Sequence, residues 1–134
     1  MSLTSLVNAR DEAMERLMEY RADRKLLGKT GRGARRRVYL ARWAAAIEGV
    51  LDMYRQEDPD KARAMDRLFG LTHPTPRLQK NRSRMLRLAA DFCVSESTLY
   101  KWREEILTAV LVAAVENGAF APFSMGRGPG GRGK

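Results

Sequence analysis

Residues 85–104 read MLRLAADFCVSESTLYKWRE, and their apolar positions set out two short helices joined by a tight turn. Leu88, Ala89 and Phe92 recur at the spacing that lines the inner face of a first helix. Val94 is placed to plug the turn, and Leu99 and Trp102 to anchor a second helix against the first. Ala89 occupies the point of closest approach, where a larger side chain would force the helices apart. Ser95 is suited to cap the second helix, because its hydroxyl can accept an otherwise unpaired backbone N–H, and Glu96 complements the positive end of the dipole. The spacing therefore predicts a helix-turn-helix whose second helix starts near Glu96. Cys93 departs from the usual pattern, since glycine commonly fills that turn position. The expectation is a turn slightly longer or differently closed, with Cys93 as a small buried hydrophobe rather than a redox thiol.

In such a motif Ser97, Thr98, Tyr100, Lys101 and Glu104 face away from the first helix, on the side that a DNA major groove would meet. Two ordinary core helices would show the same periodicity, so charge has to separate the readings. The chain has 25 Lys and Arg against 16 Asp and Glu, a formal net charge of +9. The surplus is concentrated in residues 25–42, which hold seven basic and no acidic side chains, and in residues 71–103, which hold seven and two. In the second block Arg77, Lys80, Arg82, Arg84 and Arg87 run into the motif, where contacts to a phosphate backbone would position it. Motif and charge together point to double-stranded DNA as partner.

The first block, residues 25–37, mixes glycines with Arg35, Arg36 and Arg37. Gly28-Lys29-Thr30 resembles the end of a phosphate-binding loop. The glycine expected five residues earlier is Asp23 and no strand precedes it, so nucleotide hydrolysis is rejected. Two readings of the block stand side by side: a mobile arm adding phosphate contacts, or a solvated linker. One histidine and one cysteine assemble neither a zinc site nor a histidine triad, and Glu104 and Glu105 have no nucleophile to serve. The chain is thus read as a non-enzyme without cofactor or metal.

At 134 residues the chain suits one compact domain. It has neither a membrane-length apolar run nor a secretion signal, which predicts a cytoplasmic protein. The fold class expected is all-α, a small domain of about five helices with a C-terminal helix-turn-helix and a long last helix. Leu6, Val7, Ala13, Met14, Leu17 and Met18 stripe an N-terminal helix, assigned to residues 1–24 and ending by Gly28. Residues 25–37 form the basic linker or arm. The helical domain spans 38–118, with the motif at 85–104. Within it Leu40, Trp43, Ala44, Ile47, Leu51 and Tyr54 mark a longer second helix, Asp58-Pro59 starts the next, and Gly70 ends that one. Two nearby prolines and His73 place 71–76 in a loop.

Past Trp102 the second motif helix continues through Ile106, Leu107, Val110, Leu111, Ala114 and Val115 to an Asn117-Gly118 stop. Residues 109–115 are apolar all round. Such a helix must be covered, and two readings stand: burial wholly within the monomer by the N-terminal helices, or cover by these and by a second copy through residues 106–115, as a two-fold dimer with reading helices roughly 34 Å apart. Residues 119–134 form a Gly-rich tail, expected to be flexible, whose start Phe120 and Phe123 would pin to the core.

Residues 82–118, and LAADFCVSESTLYKWREEIL in particular, resemble phage-encoded transcriptional regulators of the ArpU and RinA kind, related in style to the fourth region of sigma factors. The resemblance implies a sequence-specific DNA-binding transcriptional regulator of phage or prophage origin, with RNA polymerase as a further candidate partner. It carries promoter contact onto Ser95, Ser97, Thr98, Lys101 and Arg103. The string STLYKW, residues 97–102, also looks like transposase accessory proteins, and small terminase subunits that package DNA carry similar motifs. Base reading is therefore assigned to Ser97, Thr98, Tyr100 and Lys101. Phosphate contact is assigned to Arg82, Arg84, Arg87, Ser95, Arg103 and the run Arg35, Arg36 and Arg37.

Overall fold

A computed structural model describes residues 3–28, 33–72 and 81–119, the side chains of 3–7 and 81–82 excepted. Six helices make up the described residues: α1 Leu3–Met18, α2 Tyr20–Leu27, α3 Ala34–Glu57, α4 Pro59–Phe69, α5 Asn81–Asp91 and α6 Glu96–Glu116. The protein is all-α. None of these helices is long and apolar enough to cross a membrane.

The expected single N-terminal helix is two, because Glu19 leaves helical geometry (ψ 6°). Past this bend α2 turns Tyr20 and Arg24 toward α3, where the Tyr20 hydroxyl donates to Glu48 at 2.6 Å and Arg24 pairs with the same carboxylate at 3.3 Å. Arg16 and Asp23, both buried, form an ion pair across the bend at 2.7 Å. Burial nevertheless pushes the Asp23 carboxyl above the ordinary range, against the pull of Arg16.

Helix α3 is the central strut. All six apolar residues of the predicted stripe, Leu40 to Tyr54, are buried, and the helix packs chiefly against α6 and α4. Its first turn contains Arg35, Arg36 and Arg37, so these arginines belong to a helix and not to an arm. Arg37 donates to the carbonyls of Leu26 and Leu27, the latter at 3.0 Å, and so closes the end of α2. Of the predicted arm, only residues 29–32 lie outside the described residues.

The next boundaries follow local chemistry. The Asp58 side chain accepts the Lys61 N–H at 3.3 Å, Pro59 sits in the first turn of α4, and Gly70 closes it in the left-handed region (φ 64°). Asp66 then takes both the N–H and the hydroxyl of Thr72, at 2.9 and 2.7 Å. The loop predicted over 71–76 falls largely outside the described residues, as do His73, Arg77 and Lys80, the Arg82 side chain and the tail from Phe120 onward.

The long last helix, α6, runs to Glu116 as expected. Asn117 and Gly118 stop it through bonds from the Ala119 N–H to Ala114 and from the Gly118 N–H to Val115, the first possible because Gly118 takes φ 76°. Ile106, Leu107, Val110 and Ala114 are buried within this one chain. The apolar face left for a second copy narrows to Val112, 52% exposed, and Val115, 41% exposed.

Candidate nucleic-acid interface

The connection between α5 and α6 is short because α5 stops with paired backbone bonds. The Val94 N–H reaches the Ala89 carbonyl at 3.0 Å and the Cys93 N–H reaches that of Ala90 at 3.1 Å. This closure needs a left-handed residue in between, and Cys93 supplies it at φ 57°. The expected lengthening of the turn is not found. Cys93 is also exposed and not buried, because the left-handed conformation turns it out of the packed side of the turn. Leu88, Ala89 and Leu99 are buried, while Phe92, Val94 and Trp102 pack against the core as partly covered side chains. Phe92 and Trp102 meet edge to face, centroids 6.4 Å apart.

Ser95 caps α6 by accepting the Thr98 N–H at 3.1 Å, and its hydroxyl donates to the Thr98 hydroxyl at 2.8 Å. Its side chain is thus engaged within the turn, with Ser97 Oγ 3.1 Å away. Ser97 and Lys101 are exposed on the face opposite the core, and Thr98 is half-buried beside them. Lys101 has no ion-pair partner among the described residues. Tyr100 is placed differently. It is half-buried against the core, with the Arg103 guanidinium 5.0 Å from its ring centroid, and so sits at the edge of the Ser97–Lys101 stripe.

The acids of this helix would repel a polyanion, and both central ones are paired. Glu104 accepts from Arg10 of α1, Nε to Oε1 at 3.0 Å, and that bond holds the Glu104 carboxyl below the ordinary carboxylate range. Glu105 accepts from Lys61 of α4 at 2.8 Å, which raises the Lys61 pKa. On the α4 side the guanidinium carbons of Arg63 and Arg67 each lie 5.9 Å from the Phe92 centroid, and Arg67 pairs with Asp91 at 2.9 Å. Basic side chains of two other helices therefore reach α6 and the turn before it: Arg10 of α1 at Glu104, Lys61 of α4 at Glu105, and Arg63 and Arg67 of α4 at Phe92, with Arg63 paired to Asp60 and Arg67 to Asp91. Sequence reasoning missed all four, because their relation to α6 exists only across the packed helices. The Arg-x-x-x-Arg spacing on α4 was the one local signal.

Several predicted phosphate contacts move. Arg84 donates to the Leu68 carbonyl at the end of α4, and burial followed by repulsion from Arg103 lowers its pKa. Its task is to satisfy a helix terminus. Arg103 is half-buried, its Nε hidden from solvent, without a hydrogen-bond partner among the described residues and 3.7 Å from the Glu104 carboxylate. Arg87 is exposed on α5 and open to a phosphate. Arg35 and Arg36 lie elsewhere: Arg42 of α3 donates to the Gly118 carbonyl at 3.1 Å, so the start of α3 abuts the far end of α6. From Lys101 to Gly118 is about 25 Å along the helix axis at its usual rise. The two basic blocks, one in sequence logic, are two surfaces in space.

Compared with family models, with curated proteins and with solved structures, the chain finds no match in any of the three.

Proposed function

We propose that the chain is a sequence-specific DNA-binding transcriptional regulator that docks the first turns of α6 in the major groove of double-stranded DNA. The observation that carries this reading is a capped helix start presenting Ser97, Thr98 and an uncompensated Lys101, while Arg10 and Lys61 cancel the charges of Glu104 and Glu105. A groove lined by acceptor-rich base edges favours such a surface, and an unneutralised carboxylate on it would cost affinity. Lys101 and Thr98 read base edges. Arg87, with Arg63 and Arg67 behind the turn, holds the flanking phosphates. The resemblance of residues 82–118 to phage late-gene regulators of the ArpU and RinA kind supports the biological setting, with RNA polymerase as the second partner.

The test is selection of fragments from a random duplex pool by the purified full chain, followed by affinity measurements on the selected and scrambled sequences at several salt concentrations. Lys101→Ala narrows the gap between the two sequences. Arg87→Ala weakens both alike and flattens the salt dependence by about one unit. If no fragment is enriched and no duplex binds at low salt, the reading is wrong.

A further inference from the structure

The far end of α6 holds a groove of about 410 Å³ between α3 and the residues that follow α6, well separated from the reading face. Its apolar wall is Val38, 49% exposed, with Tyr39 and Ala119, and its cationic rim is Arg35 and Arg42. None of the lining residues is acidic. Arg35 has no ion-pair partner among the described residues, and Arg36 stands beside it with its guanidinium 5.6 Å from the Tyr39 centroid.

We propose that this groove is a docking site for an acidic amphipathic peptide segment of a partner protein, seating an apolar side chain on Val38 and Ala119 and carboxylates on Arg35, Arg36 and Arg42. The volume accepts one or two large side chains, within the range of natural peptide and ligand pockets. Charge complementarity chooses the sign of the partner. The apolar wall chooses its class, because a phosphate backbone would use the arginines and leave Val38 in water. Base stacking is disfavoured too. One face of the Tyr39 ring carries Arg36, Trp43 meets it edge-on at 6.5 Å, and its hydroxyl is committed to Glu12 at 2.5 Å. Arg42 is already fixed by the Gly118 carbonyl, so part of the rim is ordered before a partner arrives, which lowers the entropic cost of binding. The inference stands apart from DNA reading, since the surfaces share no residue.

The experiment titrates the isotopically labelled full chain with a synthetic glutamate–leucine amphipathic peptide, with the same peptide carrying lysine for glutamate, and with a short duplex. The expected result is movement of the Val38, Tyr39 and Ala119 amide signals with the glutamate peptide alone. Val38→Glu, at an exposed position, should weaken that peptide by about tenfold or more, and leave duplex affinity as it was. The proposal is overturned if the lysine peptide binds as well, if the duplex moves the same signals, or if Val38→Glu leaves peptide affinity unchanged. Movement of those signals with protein concentration alone would give the groove to a second copy, and would overturn it equally.

Discussion

Cys93 carries the one strained backbone of the α5–α6 turn, a left-handed conformation that costs an L-residue with a Cβ roughly 1–2 kcal/mol relative to glycine. Because the thiol is exposed and packs nothing, Cys93→Gly should raise stability by about 1 kcal/mol, less a share lost to the freer unfolded chain. A urea unfolding midpoint that stays put or falls would contradict this. Arg84 and Arg87, three residues apart, should behave oppositely. Arg84→Ala removes a charged donor from the Leu68 carbonyl and should cost about 1.5–3 kcal/mol of stability with little change in the salt slope of duplex binding. Arg87→Ala should do the reverse. Nothing local distinguishes these two arginines. Their difference lies in whether the end of α4 is within reach, which residues 85–104 cannot disclose.

Element boundaries were the most readable feature, because the groups that start and stop helices sit within a few residues of one another. Asp58 with Pro59, Gly70, Ser95, and Asn117 with Gly118 all act where the sequence places them. The bend at Glu19 was hidden, since what holds α2 at its angle is Glu48 on another helix. The start of α3 was hidden as well: a run of arginines among glycines reads as an arm until Arg37 is seen to bind the end of α2. Helix α3 also contains Gly49 at an exposed mid-helix position, where a Cβ would meet nothing within 4 Å. Gly49→Ala should therefore stabilise the protein by about 0.5–1 kcal/mol through backbone entropy alone. Thermal unfolding monitored by helical circular dichroism measures it, and a lower midpoint would mean that this face is covered by something.

Across the whole molecule, polar clamps bind the N-terminal helices to the rest, and they set how stability depends on pH. Of the candidate site, the Ser97–Lys101 stripe was visible in periodicity and charge. Its flanks were not, because Arg10, Lys61, Arg63 and Arg67 gain meaning only when α1 and α4 pack beside α6. Two more clamps are tyrosines. Tyr20 donates to Glu48 and Tyr39 to Glu12, and burial, reinforced by these carboxylate partners, pushes each hydroxyl up to about 12. In an unfolded chain a tyrosine titrates at about 10. Below that value both states keep the proton and the clamps contribute in full. Between about 10 and 12 the unfolded chain sheds protons that the folded protein retains, so stability falls as pH rises through this window. At the acid end the sign reverses: Glu104, held low by Arg10, contributes above the ordinary carboxylate range and loses that contribution as pH falls through its depressed value. Unfolding midpoints followed from neutral pH to about 12, alongside tyrosinate absorbance, should show Tyr20 and Tyr39 ionising late, at the pH where stability is lost. Replacing both by phenylalanine should flatten the alkaline slope and leave the acid limb intact, with the smaller slope that remains owed to Tyr54 and Lys61, whose pKa values are also raised. An unchanged alkaline slope in that double variant would mean that the N-terminal helices are held by packing and not by these two hydroxyls.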